Sequence, residues 1–177
     1  MIPPMKLAAL LLLPAALLAQ APSPYAGQES RAIKALSASD IDDLLAGRGM
    51  GLARAAELNA HPGPRHVLDL AGELALTDAQ REALAKVFAG MKAAAVPLGR
   101  AIVDGETRLD RLFSSREATA DSVRVLTREL GRLQGELRAV HLNAHVATAG
   151  ILSPEQVRRY LRLRGYRDPA AQDAPAP

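Results

Sequence analysis

The chain has 177 residues and no cysteine, and its aromatic side chains are limited to two Phe and three Tyr. Strand signals are essentially absent, so a sheet fold and a disulfide framework are excluded, and one all-α domain with thin helix-on-helix packing is expected. The net charge of +3 is mild, and Arg alternates with Asp and Glu along the long helical patterns. That pattern is typical of a solvated helix face, so no nucleic-acid partner is expected.

Residues 1–21 are predicted to be a signal peptide, which makes the protein an exported one. Lys6 is followed by an apolar run from Leu7 to Leu18, and Ala19-Gln20-Ala21 is a small-residue cleavage pattern. Cleavage after the last of these would leave Pro22 beside the scissile bond, so cleavage after Ala19 is an alternative. Retention as an uncleaved anchor is disfavoured because a membrane span needs about 20 residues.

Residues 22–38 are rich in Pro, Gly, Ser and charge, and are predicted to form an extended arm. Ser39 or Asp40 is then a candidate N-cap for a short helix carrying Ile41, Leu44 and Leu45. The glycine-rich run from Gly47 to Gly51 predicts a break in that helix. It superficially resembles a phosphate loop, but no strand precedes it and no Lys-Ser/Thr follows it.

A short helix is predicted to begin at Pro64, after the Pro62-Gly63-Pro64 turn, and two long helices follow it. Thr77 is the expected N-cap of the first long helix, which contains Pro97, where a kink is expected. A turn near Arg116 leads to the second long helix, capped by Thr119 and closed by Gly150. The apolar seam alternates by four and three residues, at 84, 88, 91, 95, 98, 102, 105, 109 and 112, and again at 123, 126, 130, 133, 137, 140, 144, 147 and 151.

Two similar motifs bracket the long helices, and both are helix starts. The first is Leu76, Thr77 and Gln80; the second is Leu152, Ser153 and Gln156, with Pro154 at the first helical position. In each motif the hydroxyl caps the helix and the glutamine is predicted to reach back to the cap. The helical domain is therefore placed at residues 39–166, and residues 167–177 are predicted to be a disordered tail.

These motifs and the long helical hairpin between them resemble the Spy/CpxP family of bacterial periplasmic proteins, which includes CnrX- and ZraP-like heavy-metal sensor and resistance proteins. The second motif departs only in having Ser153 where the family has Thr. The resemblance implies an all-α periplasmic protein, often a homodimer, without catalytic activity, acting in envelope stress or heavy-metal resistance. The partners implied are unfolded client proteins or a membrane-bound sensor or anti-sigma protein.

All four histidines fall in two clusters. The one hypothesis of a chemical function that the sequence supports, metal binding, rests on them. His141 and His145 are four apart, so both rings lie on one helix face, one residue past seam positions, where they are expected to be accessible. Counting back from the turn places Met91 level with His141, and folding back of the preceding short helix brings His66 to the same end.

The predicted site is therefore His66, His141 and His145, with Met91, Glu73, Asp69 or His61 as further ligands. It suits Zn, Cu, Ni or Co, and the sequence does not rank these metals. The alternative is that these histidines only cap helix ends or form hydrogen bonds to their neighbours, and the spacing alone does not decide between the two interpretations. The resemblance favours metal, because CnrX-like proteins use a His and a His or Met four apart on the equivalent late helix. His61 and His66 depart from the family's upstream pair, since they are five apart across a turn.

A zinc peptidase of the His-Glu type is excluded, because Leu142 follows His141 where a glutamate base is needed.

An ATP-independent chaperone that shields unfolded proteins is the alternative function. Such a chaperone would bind its clients on an apolar and basic face. The candidate residues for this face are Arg108, Arg111, Leu112, Arg124 and Arg128.

Overall fold

The structure is a computed structural model that describes residues 23–167. The predicted signal peptide and the tail beyond Arg167 lie outside these residues. Residues 23–30 belong to a small unit of their own, built from turns, in which the Ala26 N–H donates to the Ser23 carbonyl. No helix within the described part of the chain is both long and apolar enough to cross a membrane.

The unit that starts at Arg31 is all-helical, as predicted, and residues 31–167 contain six helices and no β-strand. Two long helices, the fourth and the fifth, pack against each other and are called here the long helix pair. In chain order the helices are α1 (Ala38–Leu45), α2 (Arg54–Glu57), α3 (Pro64–Asp69), α4 (Asp78–Ser114), α5 (Ala120–Ile151) and α6 (Pro154–Leu163).

The three predicted helix caps on and after the long helix pair are confirmed. The side chains of Thr77, Thr119 and Ser153 each accept a hydrogen bond from the backbone N–H three residues on, and a side chain reaches back in each case. Pro97 lies inside α4 and the helix continues past it, as the uninterrupted seam indicated. Caps depend only on neighbouring residues, which explains why sequence predicts them well.

The start of α1 was predicted incorrectly. Its N-cap is Ser37, not Ser39 or Asp40, and the Ser37 N–H donates to the Asp40 carboxylate at 2.9 Å. Hydrogen bonds from Ser37 lower the pKa of Asp40. The preceding segment also differs from an extended arm, because a bridge between Ile33 and Leu36 closes a turn and buries Ile33. Burial of Ile33 thus fixes the chain just before the helix.

The seam of α5 was predicted correctly from Leu126 to Leu137 and again at Ala144. After Leu137 the buried positions continue at His141, Ala144 and Thr148, so Val140, Ala147 and Ile151 are not in the buried row. The shift brings the histidine into the core instead of its flank. Its cause is tertiary, since the loop after α1 and helices α2 and α3 cover this side of α5.

The glutamines of the two motifs form a reciprocal pair that joins the starts of α4 and α6. The Gln80 amide nitrogen donates to the Gln156 side-chain oxygen at 2.9 Å, and the Gln156 nitrogen donates back at 3.0 Å. Each nitrogen also donates to a backbone carbonyl, that of Ile151 or Leu74. Each oxygen still accepts from its own cap N–H. The motif glutamine therefore both caps its helix and links two helices.

Gln80→Glu is expected to lower the free energy of unfolding by about 2 kcal/mol, since a carboxylate keeps the cap but loses both donors. Its second oxygen would face the Ile151 carbonyl and the Gln156 oxygen. Urea denaturation followed by circular dichroism measures the loss. The matched control is Gln134→Glu on the exposed face of α5, where a change within about 0.5 kcal/mol is expected. Equal stability of the two variants would contradict a structural role for the glutamine pair.

Helix α1 lies unusually close to α4, at Gly99. A Cβ atom added to this glycine would lie 2.0 Å from the Leu44 carbonyl oxygen. Gly90, in the same helix, has no atom within 4 Å of the corresponding position. The absence of a side chain at Gly99 is therefore what allows α1 to pack at this distance.

Candidate metal centre

The structure places three of the predicted ligands and the predicted thioether on one cavity. It has a volume of about 410 Å³ and lies between the loop after α1, the start of α3, and the long helix pair. His66, Met91, His141 and His145 all line it, with Phe88 beside them. The register deduced by counting back from the turn, with Met91 opposite His141, agrees with this lining.

His145 is held in one tautomer by the chain before α3. Its Nδ1 lies 2.7 Å from the carbonyl oxygen of His61, and because a carbonyl only accepts, Nδ1 must carry the hydrogen. With the hydrogen on Nδ1, Nε2 is the ring atom left to act as a ligand. This atom lies against Gly63, where an added Cβ would be 2.9 Å from Nε2. A glycine in the Pro62-Gly63-Pro64 turn is thus required for the observed position of the ring.

His141 is a buried ligand candidate, with only 3% of its surface exposed. Its Nε2 atom has no hydrogen-bond partner among residues 23–167. Burial and, secondarily, the charge of nearby His145 lower the pKa of His141 and favour its neutral form. An unpaired buried polar atom costs about 1–3 kcal/mol, so its presence in a core seam position calls for a functional reason.

His66 lies at the mouth of the cavity and is half-exposed. Its Nδ1 is 3.8 Å from the Oε1 atom of Glu57. Burial and the charge of Arg164 lower the pKa of His66, and Glu57 acts against them. The ring is therefore neutral and able to ligate at neutral pH.

Glu57, the last residue of α2, is a functional candidate that sequence reasoning missed. Its carboxylate, 12% exposed, accepts hydrogen bonds from the Tyr160 hydroxyl and the Gly63 N–H, and lies 3.6 Å from Nδ1 of His145. Arg164 is 3.9 Å away. One signal was present in the sequence, because Glu57 is the only acid between Asp43 and Asp69. It links the histidines to α6.

Three of the further predicted ligands lie elsewhere. The Asp69 carboxylate pairs with Arg65 at 3.0 Å, and Glu73 is exposed; neither lines the cavity. The His61 ring is also exposed, with its Nδ1 2.7 Å from the Asn59 carbonyl. His61 contributes through its backbone carbonyl to His145 and not through its imidazole.

The donors present fit a transition metal, since they offer a buried nitrogen without a partner, an oriented Nε2 lone pair and a thioether. Within residues 23–167, no three His, Cys, Asp or Glu side chains are arranged to hold a metal ion.

No protein-family model, curated protein or solved structure matches the chain.

Proposed function

We propose that the protein is a non-enzymatic metal-binding protein whose centre is formed by His141, His145 and His66 with Met91. The single observation that carries the proposal is the partnerless Nε2 atom of His141, buried in a cavity that other donors share. A core position that does not need a polar atom ordinarily holds an apolar side chain. Leu137 and Leu133, one and two turns earlier in α5, are examples.

The surroundings of His145 support the same function. Histidines that ligate metals usually donate their other ring N–H to a carbonyl or carboxylate, which fixes the ring and raises its basicity. His145 does so to the His61 carbonyl, and Glu57 stands behind both His145 and His66. Glu57 is therefore assigned as a positioning residue.

Metal binding under this proposal includes a small rearrangement. His66 is the most exposed of the three rings and is not tied by a short hydrogen bond, so its side chain is the one to rotate toward the other donors. His141 and His145 on α5 stay in place. The centre is thus completed by the metal itself.

The protein is proposed to be a homodimer with a Spy/CpxP-like hairpin. Its proposed location is the periplasm, and its proposed role is in heavy-metal resistance or envelope stress. The paired motif glutamines support the Spy/CpxP-like part of this proposal, because they join the two motifs on which the resemblance rests. A membrane-bound sensor or anti-sigma protein is the partner expected for a metal-dependent signal.

An ATP-independent chaperone is the second candidate function. The observation that favours it is the apolar surface around the turn between the long helices, where Phe113 is 59% and Val125 61% exposed. Two of the predicted basic residues there are paired with acids, Arg108 with Glu129 and Arg124 with Asp121. Suppression of client aggregation by metal-free protein, lost in Phe113→Ser, would favour this function.

The test of metal binding is calorimetric titration of the mature protein with Zn(II), Ni(II), Co(II) and Ag(I). The variant with both His141→Ala and His145→Ala is expected to lose stoichiometric uptake, and unchanged uptake would refute the site. Gly63→Ala is a subtler probe, because the new methyl group would displace the His145 ring and lower affinity by about 10–100-fold. Gly72→Ala, where no atom lies within 4 Å, is its control and should bind normally.

A further inference from the structure

We infer that the centre is selective for a soft monovalent cation, Cu(I), over the divalent ions Zn, Ni and Co. The inference rests on the proposed function, because it assumes that the cavity binds a metal. It then uses two properties of the cavity lining, the type of its donor atoms and the sign of its charge.

The donors that line the cavity are neutral and soft or intermediate. They are imidazole nitrogens of three histidines and the thioether of Met91. Among residues 23–167, no Asp, Glu or Cys lines this cavity. Imidazole nitrogen suits Zn, Ni and Cu alike, whereas a thioether sulfur favours Cu(I), so Met91 is the donor that shifts the preference toward the soft ion.

The charged residues that line the cavity are all basic, namely Arg48, Arg65 and Lys92. Arg48 is paired with Asp43 and Arg65 with Asp69, but neither acid reaches the lining. Coulomb repulsion scales with the charge of the bound ion, so a divalent ion experiences twice the repulsion of a monovalent one.

Glu57 does not cancel the positive charge of the cavity lining. It lies on the Nδ1 side of His145 and His66, whereas a metal would bind the Nε2 atoms. Its charge is shared with Arg164, 3.9 Å away, and with the Tyr160 hydroxyl. Desolvation acts in the same direction, because the buried His141 and the ring of Phe88 create an environment in which a higher charge costs more.

The experiment compares Ag(I), a redox-inert substitute for Cu(I), with Zn(II), Ni(II) and Co(II) on the mature protein. Met91→Leu conserves side-chain volume, so the fold should be kept, as circular dichroism would verify. It is expected to weaken Ag(I) binding by about tenfold or more and to change Zn(II) binding less than about twofold. Met50→Leu is the matched control, because Met50 does not line this cavity, and it should bind like the wild type.

A second readout is X-ray absorption of the Cu(I)-loaded protein, prepared anaerobically with a reductant. A sulfur scatterer is expected in the wild type and in Met50→Leu, and not in Met91→Leu. Divalent ions binding as tightly as Ag(I), or Met91→Leu behaving like Met50→Leu, would overturn the inference and leave the proposed function standing. Failure of every ion to bind would refute the proposed function itself, and the inference with it.

Discussion

His141→Leu is expected to make the protein more stable at pH 7 and at the same time unable to bind metal. Leucine removes a buried nitrogen that lacks a hydrogen-bond partner, so the free energy of unfolding should rise by about 1 kcal/mol. Metal affinity should fall by at least about 100-fold, because a ligand is lost rather than an outer partner. Urea denaturation and calorimetric titration of the same preparation measure the two effects.

The pH dependence of stability should change with the same substitution. The pKa of His141 is lowered by burial, whereas in the unfolded chain it is about 6.5. As the pH falls below about 6.5, the unfolded state binds a proton that the native ring resists, and stability is lost. The Leu variant should lose less stability between pH 7.5 and 5, although His66, whose pKa is also lowered, still contributes to the slope.

His61→Leu is the control for both effects. The His61 ring is exposed and lies outside the cavity, so stability at pH 7 should stay within about 0.5 kcal/mol and metal binding should persist. A His141→Leu protein that is destabilised by more than 1 kcal/mol would contradict the picture of an unpaired histidine held for function.

Gly99→Ala is expected to cost about 3 kcal/mol of stability or more, because Gly99 has the closest contact among the glycines of this chain. The new Cβ would lie 2.0 Å from the Leu44 carbonyl oxygen and 2.7 Å from its carbon. Both are backbone atoms, so no change of rotamer relieves the contact and the end of α1 must move. Overpacking usually costs about 1–3 kcal/mol, and this contact belongs at or above the upper limit.

Gly90→Ala is the matched control, since it adds the same group to the same helix in open space. It should raise the free energy of unfolding by about 0.5–1 kcal/mol through helix propensity. Displacing α1 should also loosen the loop from Ala46 to Gly49, which lines the cavity, so metal affinity is expected to fall in Gly99→Ala only. Identical unfolding curves for the two variants would show that α1 does not pack as described.

The features that sequence predicts well are those set by neighbouring residues. The three caps at Thr77, Thr119 and Ser153 depend on a hydroxyl and the residue three positions on. The pairing of His141 with His145 follows from helix geometry, and the register of Met91 from a short turn. Sequence could therefore name His66, Met91, His141 and His145, which the structure places on one cavity.

The features that sequence could not predict depend on which face of α5 other elements cover. A strict four-three alternation continues from Leu137 to Val140, whereas a straight helix with 3.6 residues per turn accommodates His141 as well. The packing of α2, α3 and the loop after α1 decides between the two positions. The role of Glu57 likewise depends on Gly63, His145 and Tyr160, which no local pattern connects.

The contacts of Glu57 and of His145 also bear on when the histidine-lined cavity forms during folding. Tyr160 lies 103 residues after Glu57, and His145 lies 84 residues after His61, so both contacts require closure of very long loops. Long-range contacts of this kind form late, after local helices and hairpins have already appeared. The histidine rings therefore receive their orientation only when nearly the whole chain is in place. The proposed metal centre would then be complete only late in folding, once α5 has packed against the chain before α3.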